Sequence, residues 1–91
     1  MARHPEIYRK AEWRKSRAYV INRTNGLCEQ CLKEGRTEVG HEVDHIIELT
    51  NSNKHYWNIA YNPDNLQLLC VDHHNEKHGR STGLHRFVGP I

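Results

Sequence analysis

Glu42-Val43-Asp44-His45-Ile46-Ile47 is the stretch that decides how this chain is read. β-Branched residues are in short supply elsewhere, and their concentration here predicts a strand that enters a loop. Along an extended segment neighbouring side chains point to opposite sides, so Asp44 and His45 are expected to diverge, one towards an ion and the other towards water. Downstream, Asn62-Pro63-Asp64 predicts a turn, Leu66 to Leu69 a short apolar strand, and His73 to His78 the start of a helix that fades at Gly79. Between them, Thr50 to Asn62 has neither helical nor strand period. It is expected to be a long surface loop; Tyr56, Trp57 and Tyr61 can present their rings for stacking, but anchoring the loop in the core is the favoured reading.

Upstream, Pro5 suits a helix start, and Ile7, Tyr8, Ala11, Ala18, Tyr19, Val20 and Ile21 recur with gaps compatible with one apolar face. One helix from about Glu6 to Arg23 is expected; Trp13 can cap the core or lie on the basic side among Arg14, Lys15 and Arg17, and the core is favoured. Asn25-Gly26, both tolerant of positive φ, ends it and delivers the chain to Cys28. Lys33 to Gly40 reads as a polar turn, and Ser81 to Ile91 as an irregular tail.

A chain of 91 residues is one domain, and with 36% hydrophobic residues and a mean hydropathy of -0.88 its core is thin. Such a domain needs a staple. Three cysteines leave one unpaired in any disulfide framework. Cys28-x2-Cys31 and Cys70-x2-His73 instead form two short pairs separated by a long gap, the pattern of a structural zinc clasp in a reducing compartment. His73 and His74 are adjacent and either can reach; the repeated x2 spacing favours His73. No apolar run suits a membrane span or a signal peptide, so a soluble intracellular protein is expected.

Charge is unevenly spread. Met1 to Thr24 carries seven basic residues against Glu6 and Glu12, while the remainder carries six basic and nine acidic residues. The N-terminal segment is therefore the electrostatic handle for a polyanion. Arg14, Lys15 and Arg17 on it, with Lys77 and Arg80, are the candidate phosphate contacts.

Between the clasp residues lies a second constellation: Asp44, His45, Asn65 and His74, with His78 four positions beyond His74 on the same helical face. A neutral imidazole can activate water, and a divalent ion can stabilise charge on phosphoryl and departing oxygens, which together are the needs of phosphodiester hydrolysis. His41-Glu42-Val43-Asp44-His45 also fits His-Glu-x-x-His, but that zinc-protease pattern needs a helix where Gly40, Val43, Ile46 and Ile47 favour a strand. His41 reads as a surface histidine or one supporting a ligand, and His4, His55 and His85 as solvated.

Taken together, Cys28-x2-Cys31, Val43-Asp44-His45-Ile46-Ile47, Asp64-Asn65-Leu66-Gln67-Leu68-Leu69-Cys70 and His73-His74-x2-Lys77 resemble the HNH endonucleases. The resemblance covers about Trp13 to Gly79, with Glu12-Trp13-Arg14-Lys15 similar to the basic helix of phage members. It implies a small α+β fold, the ββα-metal or His-Me finger core, with residues 1–25 as a basic helix packed on it, 26–80 as the nuclease domain and 81–91 as a tail. By the same resemblance His45 is the general base, and Asp44 and His74 are ligands of a catalytic ion. Asn65 either holds the base-bearing loop or reaches the metal, and His78 matches a further metal-binding histidine of the nuclease colicins.

The implied cofactors are a structural Zn2+ and a catalytic Mg2+, Mn2+, Ni2+ or Zn2+. The implied substrate is DNA, cut to leave a 5′-phosphate in the cytoplasm of a bacterial host. The implied partner is the phage terminase large subunit, during genome packaging. Two positions depart from the pattern: many relatives have cysteine in place of His73 and proline in place of Glu48. A zinc ribbon that binds nucleic acid without cutting it is the alternative, although a mere binder has no need for Asp44, His45, Asn65 and His74 together.

Overall fold

The computed structural model describes residues 4–79, so Arg80 and the tail from Ser81 to Ile91 lie outside the described residues. Two short helices, α1 (Pro5–Tyr8) and α2 (Ala11–Arg23), precede the knuckle helix α3 (Glu29–Lys33). Strand β1 (Glu42–His45) follows, then α4 (Trp57–Ala60), a 3-10 turn (Pro63–Asn65), strand β2 (Leu66–Leu69) and helix α5 (Val71–Lys77). The strands pair antiparallel, with Val43 opposite Leu68 and His45 opposite Leu66. This is the small α+β architecture that the sequence implied.

Strand β2 divides the interior. Leu66 and Leu68 point into the main core with Ile7, Trp13, Val20, Val43, Ala60 and Tyr61, while Leu69 joins Cys28 and Cys31 in a second cluster on the other side. The period-2 alternation of one short strand thus ties the knuckle to the rest of the fold. Gly40 makes that approach possible, because a Cβ there would run into the Leu68 side chain.

Several expectations are corrected. The single N-terminal helix is broken at Arg9-Lys10, where Lys10 is extended (φ -81°, ψ 153°). The break lets Tyr8 fold back edge-on against Trp13, with ring centroids 4.9 Å apart. The buried face of α2 is Trp13, Ser16 and Val20, whereas Ala11, Ala18 and Tyr19 are exposed. Ser16 tolerates burial because its Oγ donates to the Tyr61 carbonyl at 2.5 Å, and the Tyr61 hydroxyl donates onward to the Ile7 carbonyl at 3.0 Å.

The segment Thr50 to Asn62 contains α4; Tyr61 is buried there as expected, but Tyr56 and Trp57 are exposed. Strand β1 stops at His45, leaving Ile46 and Ile47 exposed, and α5 begins at Val71, two residues earlier than expected. The Asn25-Gly26 turn is as read, with φ of 54° and 80°. Arg23, counted among the basic handle, is not a free cation: it pairs with Glu29 at 2.6 Å and donates to the Pro63 and Leu66 carbonyls. It thereby clamps the end of α2 to the knuckle and to the turn that carries Asn65.

Candidate active site and metal centre

Cys28 and Cys31 are fully buried, and Cys70 and His73 are half-buried. Cys28 precedes α3 and its sulfur accepts from the Cys31 backbone N–H, the local turn that makes Cys-x2-Cys a rigid pair. Tetrahedral bonds of about 2.3 Å to sulfur and about 2.0 Å to nitrogen set ligand-to-ligand edges of roughly 3.5 to 3.8 Å. His73 Nδ1 lies 3.6, 3.4 and 3.4 Å from the sulfurs of Cys28, Cys31 and Cys70, and the Cys31 and Cys70 sulfurs are 3.8 Å apart.

Thiol chemistry fits the same ion. Burial raises the Cys28 thiol, but hydrogen bonds from the Cys31 and Cys70 backbone and from His73 outweigh it, leaving it lowered to about 7. Cys31 is raised to about 12 by burial and by the neighbouring Cys28 and Cys70 sulfurs. One thiolate forms readily and the next resists; a divalent cation at the centre removes that conflict. The four residues can hold a zinc, and it is His73, not His74, whose nitrogen faces the sulfurs.

The second constellation lies on the other face of α5. Asp44, His74 and His78 bring one donor atom each within 4.8 Å of one another. His74 sits within α5, and His78, the residue that closes the helix, brings its Nε2 to 3.1 and 3.3 Å from the Asp44 carboxylate oxygens. They line an open groove of about 790 Å³ together with His41, Glu42, His45, Glu48, Lys77 and Arg17. Tyr8, on its wall, is held above the ordinary phenol value by burial and then by Asp44, Glu42 and Glu48. Where the three donors meet, a carboxylate oxygen and two imidazoles are a donor set that suits a divalent ion.

Strand alternation sends His45 the opposite way from Asp44. The two side chains diverge as expected, and His45, although it borders the groove, is only 3% exposed. Its ring stacks on Trp13 at 5.3 Å and 22°, and Tyr8 meets it edge-on. His45 Nε2 lies 3.0 Å from the Ala60 carbonyl. A carbonyl only accepts, so Nε2 carries the proton and Nδ1 is left with the lone pair. Burial holds this imidazole below its usual value, which keeps it neutral near pH 7.

Asn65 stands behind that residue. Its Oδ1 accepts from the Ile47 N–H at 2.8 Å, and its Nδ2 donates to the Ile47 and Ile59 carbonyls at 3.1 and 2.8 Å. Its amide is thus engaged in joining the loop after His45 to the segment that supplies Ala60. Of the two roles open to Asn65, the geometry is that of loop support. Lys77 is also engaged, donating to the His45 carbonyl and pairing with Asp44 at 3.1 Å.

Of the other candidate phosphate contacts, Arg17 reaches the groove, Arg14 and Lys15 are exposed on α2, and Arg80 is outside the described residues. Spacing gave no sign of Ala60, whose contribution is a backbone carbonyl, or of the stacking of Trp13 on His45. His4, read as solvated, borders the groove; His41 is exposed, its ring 6.0 Å from that of His74.

The sequence model of the HNH endonuclease family matches residues 28–80. A phage protein named "Probable HNH endonuclease", from Lactococcus phage SK1, is 51% identical over 70 residues, which are 77% of this chain and 72% of that protein. The crystal structure of the HNH endonuclease of the deep-sea thermophilic bacteriophage GVE2 with manganese ion superposes with a TM-score of 0.70 at 36% identity, covering 82% of this chain and 77% of that one. With the two-stranded sheet, the following helix and the clustered donors already in place, these likenesses establish that this chain belongs to the HNH endonuclease family, enzymes that hydrolyse phosphodiester bonds.

Proposed function

We propose that this chain is a metal-dependent DNA endonuclease in which His45 activates the attacking water. The observation that carries the reading is the His45 imidazole with its Nε2 proton committed to Ala60, next in sequence to a carboxylate that meets two histidines. A fixed tautomer leaves Nδ1 as the base, and burial keeps it unprotonated at neutral pH. Asp44, His74 and His78 are the residues that would hold the divalent ion, which supplies charge stabilisation at the phosphoryl and departing oxygens. Asn65 acts as a positioning residue for His45, through the loop it braces. Lys77 keeps the Asp44 carboxylate and the His45 backbone in one orientation, and Arg17 presents a cation to the DNA backbone.

The other parts follow from the same reading. Cys28, Cys31, Cys70 and His73 hold Zn2+, residues 1–25 form a basic flank of the nuclease domain (26–80), and Arg14, Lys15 and Arg80 add phosphate contacts. The similarity to phage proteins supports a phage enzyme; work alongside the terminase large subunit in packaging, inside the bacterial host, is proposed on the family resemblance alone. The test is plasmid nicking with magnesium, manganese or nickel. Wild type cuts, and His45→Ala loses about 10²- to 10⁴-fold in rate while still retarding DNA in a gel. Equal cleavage by wild type and His45→Ala removes the assignment.

A further inference from the structure

We propose that Glu34 is a positioning residue for the zinc clasp, holding the His73 imidazole so that Nδ1 faces the three sulfurs. The proposal rests on the zinc reading of that clasp. A cysteine ligand offers one sulfur that binds from many directions, but an imidazole must present a chosen nitrogen in a chosen plane. His73 Nε2 lies 3.3 Å from Glu34 Oε2. A carboxylate only accepts, so this contact keeps the proton on Nε2 and the lone pair on Nδ1, the atom 3.4 to 3.6 Å from the sulfurs.

Glu34 is itself fixed. Arg36 holds Oε1 at 2.7 Å, and Gln30 donates to Oε2 at 3.2 Å. Its backbone N–H closes α3 by donating to the Gln30 and Cys31 carbonyls. The acceptor is therefore built on α3, the short helix that Cys28 opens and that carries Cys31, so the first half of the clasp orients the histidine that α5 brings.

The experiment uses the full chain loaded with zinc and titrated with a chromophoric chelator, comparing wild type, Glu34→Gln and Glu34→Ala. Glutamine keeps an acceptor for Nε2–H without the charge; alanine removes both. Zinc affinity is expected to fall about 10- to 100-fold in Glu34→Ala and to stay close to wild type in Glu34→Gln. Proton NMR is expected to show a slowly exchanging His73 Nε2–H in wild type and Glu34→Gln, lost in Glu34→Ala. An unchanged affinity in Glu34→Ala, or equal losses in both variants, overturns the positioning role. A wild-type protein that carries no zinc in native mass spectrometry overturns the clasp reading and this proposal together.

Discussion

The two donor clusters flank one short helix and are built on opposite plans. The cysteine cluster offers four ligands, two of them fully buried, with His73 Nδ1 3.4 to 3.6 Å from all three sulfurs. The cluster of Asp44, His74 and His78 offers three, with His78 exposed, and opens onto a groove. Closed four-ligand sites leave an ion no place for substrate, whereas an open three-ligand site does. His73 and His74 are neighbours in sequence, yet a helical step of about 100° sends one to each plan. The difference teaches that one short helix can turn successive residues to two separate donor clusters.

If the clasp is structural, breaking it carries the largest effect. Zinc binding in small folds amounts to about 10 to 16 kcal/mol of apparent free energy, comparable with the whole stability of a domain. Cys28→Ser is expected to abolish the cooperative thermal transition seen by circular dichroism; a melt close to wild type contradicts the clasp. The open site allows a different outcome. Asn65→Ala leaves the Ile47 N–H and the Ile47 and Ile59 carbonyls without their partner, costing about 1 to 3 kcal/mol. Through misplacement of His45 it is expected to lower kcat by about 10²-fold with KM little changed. A variant that melts lower but cuts at the wild-type rate separates Asn65 from the reaction.

The smallest effect lies between the two sites. Gly40 packs against Leu68 on the strand that divides the two cores, and Gly40→Ala forces an overpacked contact worth about 1 to 3 kcal/mol. Denaturant unfolding is expected to show that loss with zinc retained. Loss of zinc in this variant would mean that the cores are more tightly coupled than their separate packing implies.

Much of this division was legible from residue order. Cys28-x2-Cys31 marks a knuckle because so short a spacing suits only a tight turn, and β-branched Val43 and Ile46 beside Asp44-His45 marked the strand. The i, i+4 spacing of His74 and His78 put them on one face, where the structure has them meeting Asp44. What escaped the reading is tertiary. The break at Arg9-Lys10 has no glycine or proline to announce it, and it exists where Tyr8 returns to Trp13. Ser16 looks like surface until the Tyr61 carbonyl is placed over it. The burial of His45 was not legible either, because a polar residue on a short strand gives no hint of the indole that covers it. Helix α4 is too short for its period to register, yet it sets the Ala60 carbonyl that fixes the imidazole.

The claim that two sites divide the labour is tested most directly at the adjacent histidines. His73→Ala and His74→Ala should be compared for bound zinc, thermal melt and manganese-dependent plasmid cleavage. His73→Ala is expected to lose zinc and melt far below wild type. His74→Ala is expected to keep both the zinc and the melt while losing cleavage by at least about 10²-fold, the range for removal of a group that stabilises transition-state charge. The reverse pattern, or the same loss in both variants, contradicts the account.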